Sequence, residues 1–177
     1  IRVGEYIAGL TEKSVADELV PKCTFTFPEV ASIGMTEGEA VEQGHTIKTG
    51  KFSFRGIGKA LVYGENDGFV KIIIDEATEQ VLGVHMIGPH VTDMITELGL
   101  AKFLGAKYSA LAEMIYPHPT LSEAIYEAIL NIDNRQIAKM LDVSEKTISV
   151  WRLRDKWNEV LQRQKEVNQA IKRLKMN

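Results

Sequence analysis

Cysteine is almost absent from this chain of 177 residues, which contains only Cys23. A single cysteine excludes an internal disulfide, a redox pair of cysteines and a zinc site built from several thiolates. Apolar runs are short as well, and none approaches the roughly 20 residues that a membrane-spanning helix needs. Residues 1–5 have neither the basic flank nor the apolar core of a secretory signal. These absences favour a protein of the reducing cytoplasm with no membrane partner.

Charge is distributed unevenly along the chain, although the net charge is only -3. Residues 1–130 contain 10 Lys and Arg against 18 Asp and Glu, whereas residues 131–177 contain 11 against 6. A composition with 45% hydrophobic and 25% charged residues is that of a folded globular protein. Such an abrupt change of sign indicates two modules with different partners, and we place their boundary at residue 130.

The first module shows the sequence pattern of a β-sheet followed by helices. Five segments alternate polar with apolar side chains or form short apolar runs: residues 23–27, 30–35, 45–54, 69–74 and 81–87. The last two flank the acidic stretch 75–79, which predicts a β-hairpin. Because the strands are grouped before the longer helices, the pattern predicts an α+β fold rather than a doubly wound one.

Helices are predicted before, between and after these strands. A short amphipathic helix ends near Gly9, and Thr36 with Glu39 forms a capping box at the start of another helix. Residues 91–104 and 109–115 have helical periodicity. Four side chains are expected on the packed side of the first of these: Ile95, Leu98, Leu100 and Leu104.

Four segments of the first module have distinctive sequences. They read CTFTFPEVASIG at 23–34, GENDGFVK at 64–71, LGVHMIGPH at 82–90 and HPTLSE at 118–123. In this order they resemble the dimerisation domain of the pyridine nucleotide-disulfide oxidoreductases, above all the dihydrolipoamide dehydrogenases. The resemblance implies about five antiparallel strands with helices on one side, packed as a symmetric homodimer. It also implies FAD and NAD as cofactors of the parent family and lipoyl-bearing subunits as its partners.

The signature at 118–123 supplies the candidate catalytic residues. The resemblance implies that His118 takes a proton from the thiol of dihydrolipoamide while Glu123 orients its imidazole. The residue types agree with these roles, because histidine titrates near the working pH and a carboxylate on its second nitrogen stabilises the imidazolium. Pro117 and Pro119 favour an extended backbone around His118. Outside this signature, a histidine followed five residues later by a glutamate is more often structural.

Two features of the family are missing from the sequence. It has no Gly-x-Gly-x-x-Gly fingerprint after a predicted strand and no Cys-x4-Cys redox pair. We therefore expect a chain that begins just after a flavin domain, binds neither FAD nor NAD by itself and does not turn over alone. Tyr116 also stands where the family usually has a second histidine, which leaves the contacts around His118 open.

The second module has the spacing of a helix-turn-helix. Residues 134–141 form the first predicted helix with Asp133 as its N-cap, and Ser144 caps the second helix after a tight turn. The exposed face of the second helix carries side chains that can hydrogen-bond the bases or phosphates of double-stranded DNA. These predicted DNA-binding residues are Ser144, Glu145, Lys146, Thr147, Ser149 and Arg152. Residues 143–157 resemble the N-terminal helix-turn-helix of phage terminase small subunits.

Alternatives stay open for this module. A helical hairpin used only for packing has the same pattern of apolar residues. Residues 155–176 are predicted to form one helix with a heptad seam of fewer than three repeats. Such a helix suits either a weak coiled coil or a helix folded back on the helix-turn-helix.

The sequence supports a dihydrolipoamide dehydrogenase interface domain at 1–130, which provides homodimerisation and the pair His118 and Glu123. A small all-α DNA-binding module follows at 131–177. The alternative is a terminase small subunit-like or regulatory DNA-binding protein that uses the first module as a dimerisation scaffold. A third hypothesis treats the tail as incidental to a flavoenzyme. Because no Gly, Ser or Pro linker separates the modules, a natural fusion, a truncation product and an engineered chain all fit the sequence.

Overall fold

A computed structural model describes residues 2–10, 16–144 and 146–148. The chain divides into two compact units, Ile1–Leu130 and Asn131–Asn177. The strands are β1 (Lys22–Thr24), β2 (Glu29–Gly34), β3 (Ile47–Ser53), β4 (Phe69–Asp75) and β5 (Val81–Gly88). The helices are α1 (Arg2–Ile7), α2 (Glu37–Glu42), α3 (Gly58–Tyr63), α4 (Val91–Phe103), α5 (Tyr108–Ala112) and α6 (Glu123–Leu141). Short 3-10 turns lie at Asp17–Leu19 and Phe54–Gly56.

The strands of the described chain form one antiparallel sheet in the order β1-β2-β5-β4-β3. The predicted hairpin is confirmed, since β4 and β5 are neighbours and the Asp75 N–H donates to the Gln80 carbonyl across the turn. Helices follow and cover this sheet, so the predicted α+β class with an antiparallel sheet is confirmed as well. No helix among the described residues is long and apolar enough to cross a membrane.

Helix α4 packs against one face of the sheet, across β2 and β5. Its buried side chains recur every three or four residues: Val91, Met94, Ile95, Leu98 and Ala101. On the sheet, Ile33, Ile72 and Val84 share this face because they are cross-strand partners, and all three are buried. Each buried aliphatic side chain stabilises the fold by about 1.5–3 kcal/mol relative to an exposed one.

The predicted packed side of α4 is partly wrong. Ile95 and Leu98 are buried as expected, but Leu100 and Leu104 are 58% and 69% exposed. The reason is helical geometry, since Leu100 lies about 200° around the helix from Leu98. Leu104 follows the last residue of α4 as its C-cap, so it is not part of the helical stripe.

The other face of the sheet carries the short helix α2. Lys71, which alternates with the buried Ile72, donates to the Glu37 carboxylate of this helix at 2.8 Å. The predicted capping box is confirmed, because the Thr36 hydroxyl accepts from the Glu39 N–H and the Glu39 carboxylate accepts from the Thr36 N–H. Such a cap contributes roughly 1 kcal/mol and fixes where α2 begins.

The turn between β4 and β5 is organised by a buried carboxylate, that of Asp75. His45 Nδ1 lies 2.7 Å from its Oδ2, and the N–H groups of Ala77 and Thr78 donate to its Oδ1 at 3.0 and 2.7 Å. The His45 hydrogen bond, followed by the Thr78 N–H and hydroxyl, lowers the pKa of Asp75 to about 2 although burial opposes the shift.

We predict that Asp75→Asn destabilises the protein at neutral pH and not at strongly acidic pH. Because the pKa of Asp75 is lower in the folded than in the unfolded chain, its contribution to stability is complete above about pH 4 and is lost as the pH falls toward 2. Unfolding by urea, measured from pH 7 to pH 2, should therefore show a difference between variant and wild type that shrinks on acidification. Asp17→Asn, at an exposed aspartate, is the matched control. A difference that stays constant with pH would contradict the assignment.

In the second unit, the structure describes the end of α6 and the turn that follows. Asp133 lies inside α6, so its predicted role as an N-cap is wrong: the helix already begins at Glu123. Ser144 caps as predicted, since its hydroxyl accepts from the Thr147 N–H at 3.1 Å. Residues 146–148 are helical and Ile148 is fully buried. The predicted helix at 155–176 lies outside the described residues.

Candidate active site

Residues 113–122 connect α5 to α6 and carry the signature histidine on the surface. Most side chains of this segment are exposed, whereas Leu121 is buried. Helix α6 begins here because the carbonyls of Leu121 and Ser122 accept N–H groups from its first turn. Ala124 and Ile125 in that turn are fully buried and anchor it. Glu123 is thereby held at the amino end of a helix, where the helix dipole favours a carboxylate.

His118 and Glu123 are joined by a short hydrogen bond, with His118 Nδ1 2.7 Å from Glu123 Oε1. The second carboxylate oxygen accepts the Thr120 N–H at 2.9 Å. The Thr120 hydroxyl donates to the Pro117 carbonyl at 2.8 Å, and the peptide bond from His118 to Pro119 is cis. Both oxygens of the carboxylate are therefore engaged within one compact loop.

Electrostatics keep Glu123 in its ionised form. Partial burial acts to raise the pKa of Glu123, but the His118 hydrogen bond, the Thr120 N–H and the charge of His118 outweigh it. The net effect places the pKa of Glu123 below its ordinary value. A carboxylate in this state accepts the Nδ1–H of His118 and thereby selects one tautomer of the ring.

The hydrogen bond to Glu123 occupies Nδ1 of His118 and leaves Nε2 able to accept a proton. The His118 side chain is 78% exposed, whereas that of Glu123 is 24% exposed. With Nδ1–H donating to Glu123, Nε2 of a neutral His118 carries a lone pair toward the surface. The pair can therefore accept a proton at Nε2 and stabilise the resulting imidazolium, which is general acid–base chemistry.

A second polar group near the site was not predicted from the sequence. Glu97 of α4 lies close to Tyr116 and Ser122, which precede His118 and Glu123 in the chain. The Tyr116 ring is tilted against that of Tyr126 in α6, with centroids 5.2 Å apart. The sequence feature that could have indicated Glu97 is its spacing, because it lies three residues after Met94 on the buried side of α4.

Within the second unit, only part of the predicted DNA-binding set is described. Lys146 is exposed, and the hydroxyls of Ser144 and Thr147 are hydrogen-bonded to each other at 2.8 Å. The others lie outside the described residues: Glu145, Ser149 and Arg152.

The described residues contain no complete Gly-x-Gly-x-x-Gly fingerprint after a strand. The turn from β3 into α3 comes nearest to the fingerprint, with Gly56 and Gly58, but Leu61 stands where the third glycine would be. The Phe52 ring occupies the space beside Gly56, 2.7 Å from where a Cβ would lie. Nor do three His, Cys, Asp or Glu side chains of the described chain come together as metal ligands.

Comparison with known sequences assigns a relationship to each part of the chain. Residues 20–129 match the family described as pyridine nucleotide-disulphide oxidoreductase, dimerisation domain. Residues 133–173 match the family described as ATPase subunit of terminase (gpP-like). The dihydrolipoyl dehydrogenase of Bacillus subtilis (strain 168) is 59% identical over 133 residues, which cover 75% of this chain and 28% of that protein. The dihydrolipoyl dehydrogenase of Rhizobium etli is 44% identical over 132 residues, which cover 74% and 27%.

Solved structures show the same architecture. The HOCl-induced flavoprotein disulfide reductase RclA from Escherichia coli superposes with a TM-score of 0.66 at 29% identity, covering 72% of this chain and 30% of that one. LpdA from Mycobacterium tuberculosis superposes with a TM-score of 0.65 at 23% identity, covering 72% and 28%, and shows the fold alone. The chain thus spans less than a third of each relative's length.

Proposed function

The chain belongs to the pyridine nucleotide-disulphide oxidoreductase family through its dimerisation domain, and we propose that residues 1–130 act as the interface domain of a dihydrolipoyl dehydrogenase. The observation that best supports this proposal is the hydrogen bond between His118 Nδ1 and Glu123 Oε1, at 2.7 Å. It lies in a stretch of 133 residues that is 59% identical to part of such an enzyme. The proposed catalytic residues are His118 as acid–base and Glu123 as its partner.

In this proposal His118 accepts, at Nε2, the proton that leaves a thiol of dihydrolipoamide. The thiol becomes a thiolate, and the imidazolium that forms is stabilised by the ionised Glu123. Oxidation of a dithiol to a disulfide also releases two electrons, and these require an acceptor that the described residues do not hold. We therefore assign only the proton transfer to this chain.

We also propose that residues 1–130 form a homodimer, as the description of the matched family implies. Lipoyl-bearing subunits as partners and a cytoplasmic location stay predictions. The division into an interface domain at 1–130 and a second module at 131–177 likewise belongs to this proposal.

A chimeric enzyme tests the proposed function. In the Bacillus subtilis dihydrolipoyl dehydrogenase, the segment that aligns with residues 1–130 would be replaced by those residues. We expect a flavin-bearing dimer that oxidises dihydrolipoamide within roughly tenfold of the parent, because volume-conserving core exchanges are tolerated. A folded, flavin-bearing chimera with no such activity would contradict the proposal.

For residues 131–177 we propose DNA binding. The proposed contact residues are Ser144, Lys146 and Thr147, which the structure describes, together with Glu145, Ser149 and Arg152. The supporting observations are the match of residues 133–173 to a terminase family and the excess of basic residues. The Ser144 cap also starts the second helix where the helix-turn-helix spacing requires. A terminase-like or regulatory protein that uses the first domain as a scaffold is the alternative function.

We predict that the full chain binds double-stranded DNA, with an affinity that falls steeply as salt increases. Lys146→Gln should weaken binding to all sequences alike and reduce the slope of log K against log salt by about 1, because one phosphate contact is lost. Lys59→Gln, at a lysine of α3 in the first unit, is the matched control. If residues 1–130 alone bind as strongly as the full chain, the second module is not the DNA-binding part.

A further inference from the structure

Two polar atoms are buried beside the segment that carries His118. Glu97 lies in α4, and Tyr116 is two residues before His118. Glu97 Oε1 and Tyr116 Oη are inaccessible to solvent and have no hydrogen-bond partner within the described part of the chain. Buried polar groups without partners are rare, because desolvation is not compensated, and a native pair of them usually has a role other than stability.

The two groups lie close together, and the pKa of each is raised. Burial raises the pKa of Glu97, and the hydroxyls of Tyr116 and Ser122 oppose this only in part. Burial and the nearby Glu97 carboxyl raise the pKa of Tyr116. Glu97 Oε1 and Tyr116 Oη are not hydrogen-bonded to each other, but a carboxyl oxygen accepts from a phenol, so a small movement lets the two groups pair.

Glu97 lies near a hydroxyl at each end of the segment from Tyr116 to Ser122, which carries His118. Tyr116 precedes His118 by two residues, and Ser122 immediately precedes Glu123. The Ser122 carbonyl also accepts the N–H groups of Ile125 and Tyr126, so its position fixes the first turn of α6. One side chain of α4 therefore lies beside a residue on either side of the His118–Glu123 hydrogen bond.

We propose that Glu97 is a positioning residue, which through Tyr116 and Ser122 holds His118 and Glu123 at hydrogen-bonding distance before a substrate arrives. The His118 side chain is 78% exposed, so its orientation depends on the hydrogen bond to Glu123, and that bond requires the segment between the two residues to keep its shape. The inference rests on the proposed acid–base role of His118 and Glu123. Glu97 itself touches no reacting atom.

The test measures the tautomer of His118 in the full chain by ¹⁵N NMR of the histidine side chains, at a pH where the imidazole is neutral. In Glu97→Leu, which removes the carboxyl and keeps the volume, the ratio of the Nδ1–H to the Nε2–H tautomer should fall roughly tenfold. Tyr116→Phe should lower it in the same direction. Glu97→Gln should keep most of it, because an amide also donates and accepts.

Two comparisons make the outcome decisive. His45, whose Nδ1 faces Asp75, should keep its tautomer in every variant and reports that the fold is intact. Glu113→Gln removes an exposed carboxylate from the same segment and should change nothing. An unchanged His118 ratio in Glu97→Leu would overturn the positioning role. If Glu97→Leu fails to fold, an unchanged ratio in Tyr116→Phe would do so.

Glu123→Leu, which removes the acceptor for the His118 Nδ1–H, separates this inference from the proposed function. If this variant changes the His118 tautomer and Glu97→Leu does not, the acid–base pair stands and the positioning role falls. If Glu123→Leu leaves the tautomer unchanged, the proposed pair itself is wrong. A loss in both variants, with His45 unaffected, is the result that we expect.

Discussion

A chimeric dihydrolipoyl dehydrogenase carrying His118→Gln is expected to oxidise dihydrolipoamide roughly 100- to 10,000-fold more slowly than the same chimera with His118. Glutamine can hydrogen-bond Glu123 but cannot take up a proton at neutral pH, so the thiol loses its base. The loss should appear in kcat and in kcat/KM, because the missing interaction forms only as the proton moves. Steady-state kinetics with dihydrolipoamide and NAD would measure both constants.

His85→Gln is the matched control for this substitution. The His85 ring is half-buried in β5, and its Nε2 lies 3.0 Å from the Met35 carbonyl, far in sequence from the 118–123 segment. A glutamine there keeps a donor for that carbonyl, so the chimera should retain its activity. If both substitutions reduced kcat equally, the loss at position 118 would reflect folding and not proton transfer.

Gly83→Ala is expected to prevent stable folding of the first unit. Gly83 pairs with Gly34 between the central strand β5 and β2, and a Cβ added there would overlap the backbone carbonyl of Met35. That carbonyl belongs to the chain leaving β2, and the Met35 N–H is held by the Leu82 carbonyl at 3.0 Å. Neither backbone can move without breaking the sheet, so we expect a loss above about 4 kcal/mol.

The measurement is urea unfolding followed by circular dichroism, with Gly38→Ala as the control. Gly38 lies in α2 and has open space around its Cα, so alanine should be neutral or stabilise the helix by up to about 1 kcal/mol. Domains of this size are stable by about 5–15 kcal/mol, and Gly83→Ala should therefore lose much or all of its cooperative transition. A Gly83→Ala protein as stable as Gly38→Ala would mean that β2 and β5 are not packed as described.

Local patterns were enough to predict most of the sheet. The hairpin of β4 and β5 and the capping box at Thr36 depend on residues within a few positions of each other, so periodicity and spacing reveal them. Helix α3 was not predicted, because its N-cap is Ile57 and no capping side chain marks its start. Asp133 was misassigned because a good N-cap residue also occurs inside a helix that begins further upstream.

Contacts between distant parts of the chain could not be predicted. Glu29 of β2 accepts the Thr92 N–H and hydroxyl at the start of α4, across 63 positions of sequence, and this contact lowers the pKa of Glu29. No local sequence pattern predicts that Glu29 caps the start of α4. The Leu100 prediction was wrong for a local reason, since Leu100 lies about 200° around α4 from Leu98 and the two cannot both face the sheet.

In the candidate site, too, the residues of a local sequence signature were predicted and those brought together by folding were not. The resemblance to the oxidoreductase dimerisation domain is confirmed, and the signature places His118 and Glu123 within five residues, so their hydrogen bond follows from a short loop. Glu97 and Tyr116 come from separate elements, and only the folded chain brings them together. The resemblance of the second module to terminase is confirmed too, since residues 133–173 match a family described as ATPase subunit of terminase, while the small subunit and DNA binding stay predictions.

The account depends most on His118 and Glu123 acting as one unit, and a double-mutant cycle in the chimeric enzyme tests this directly. The constants kcat and kcat/KM would be measured for His118→Gln, Glu123→Gln and the double variant. We expect the double variant to be no slower than His118→Gln alone, because Glu123 acts only through the imidazole. Two effects that simply multiply in the double variant would show independent residues and contradict the account.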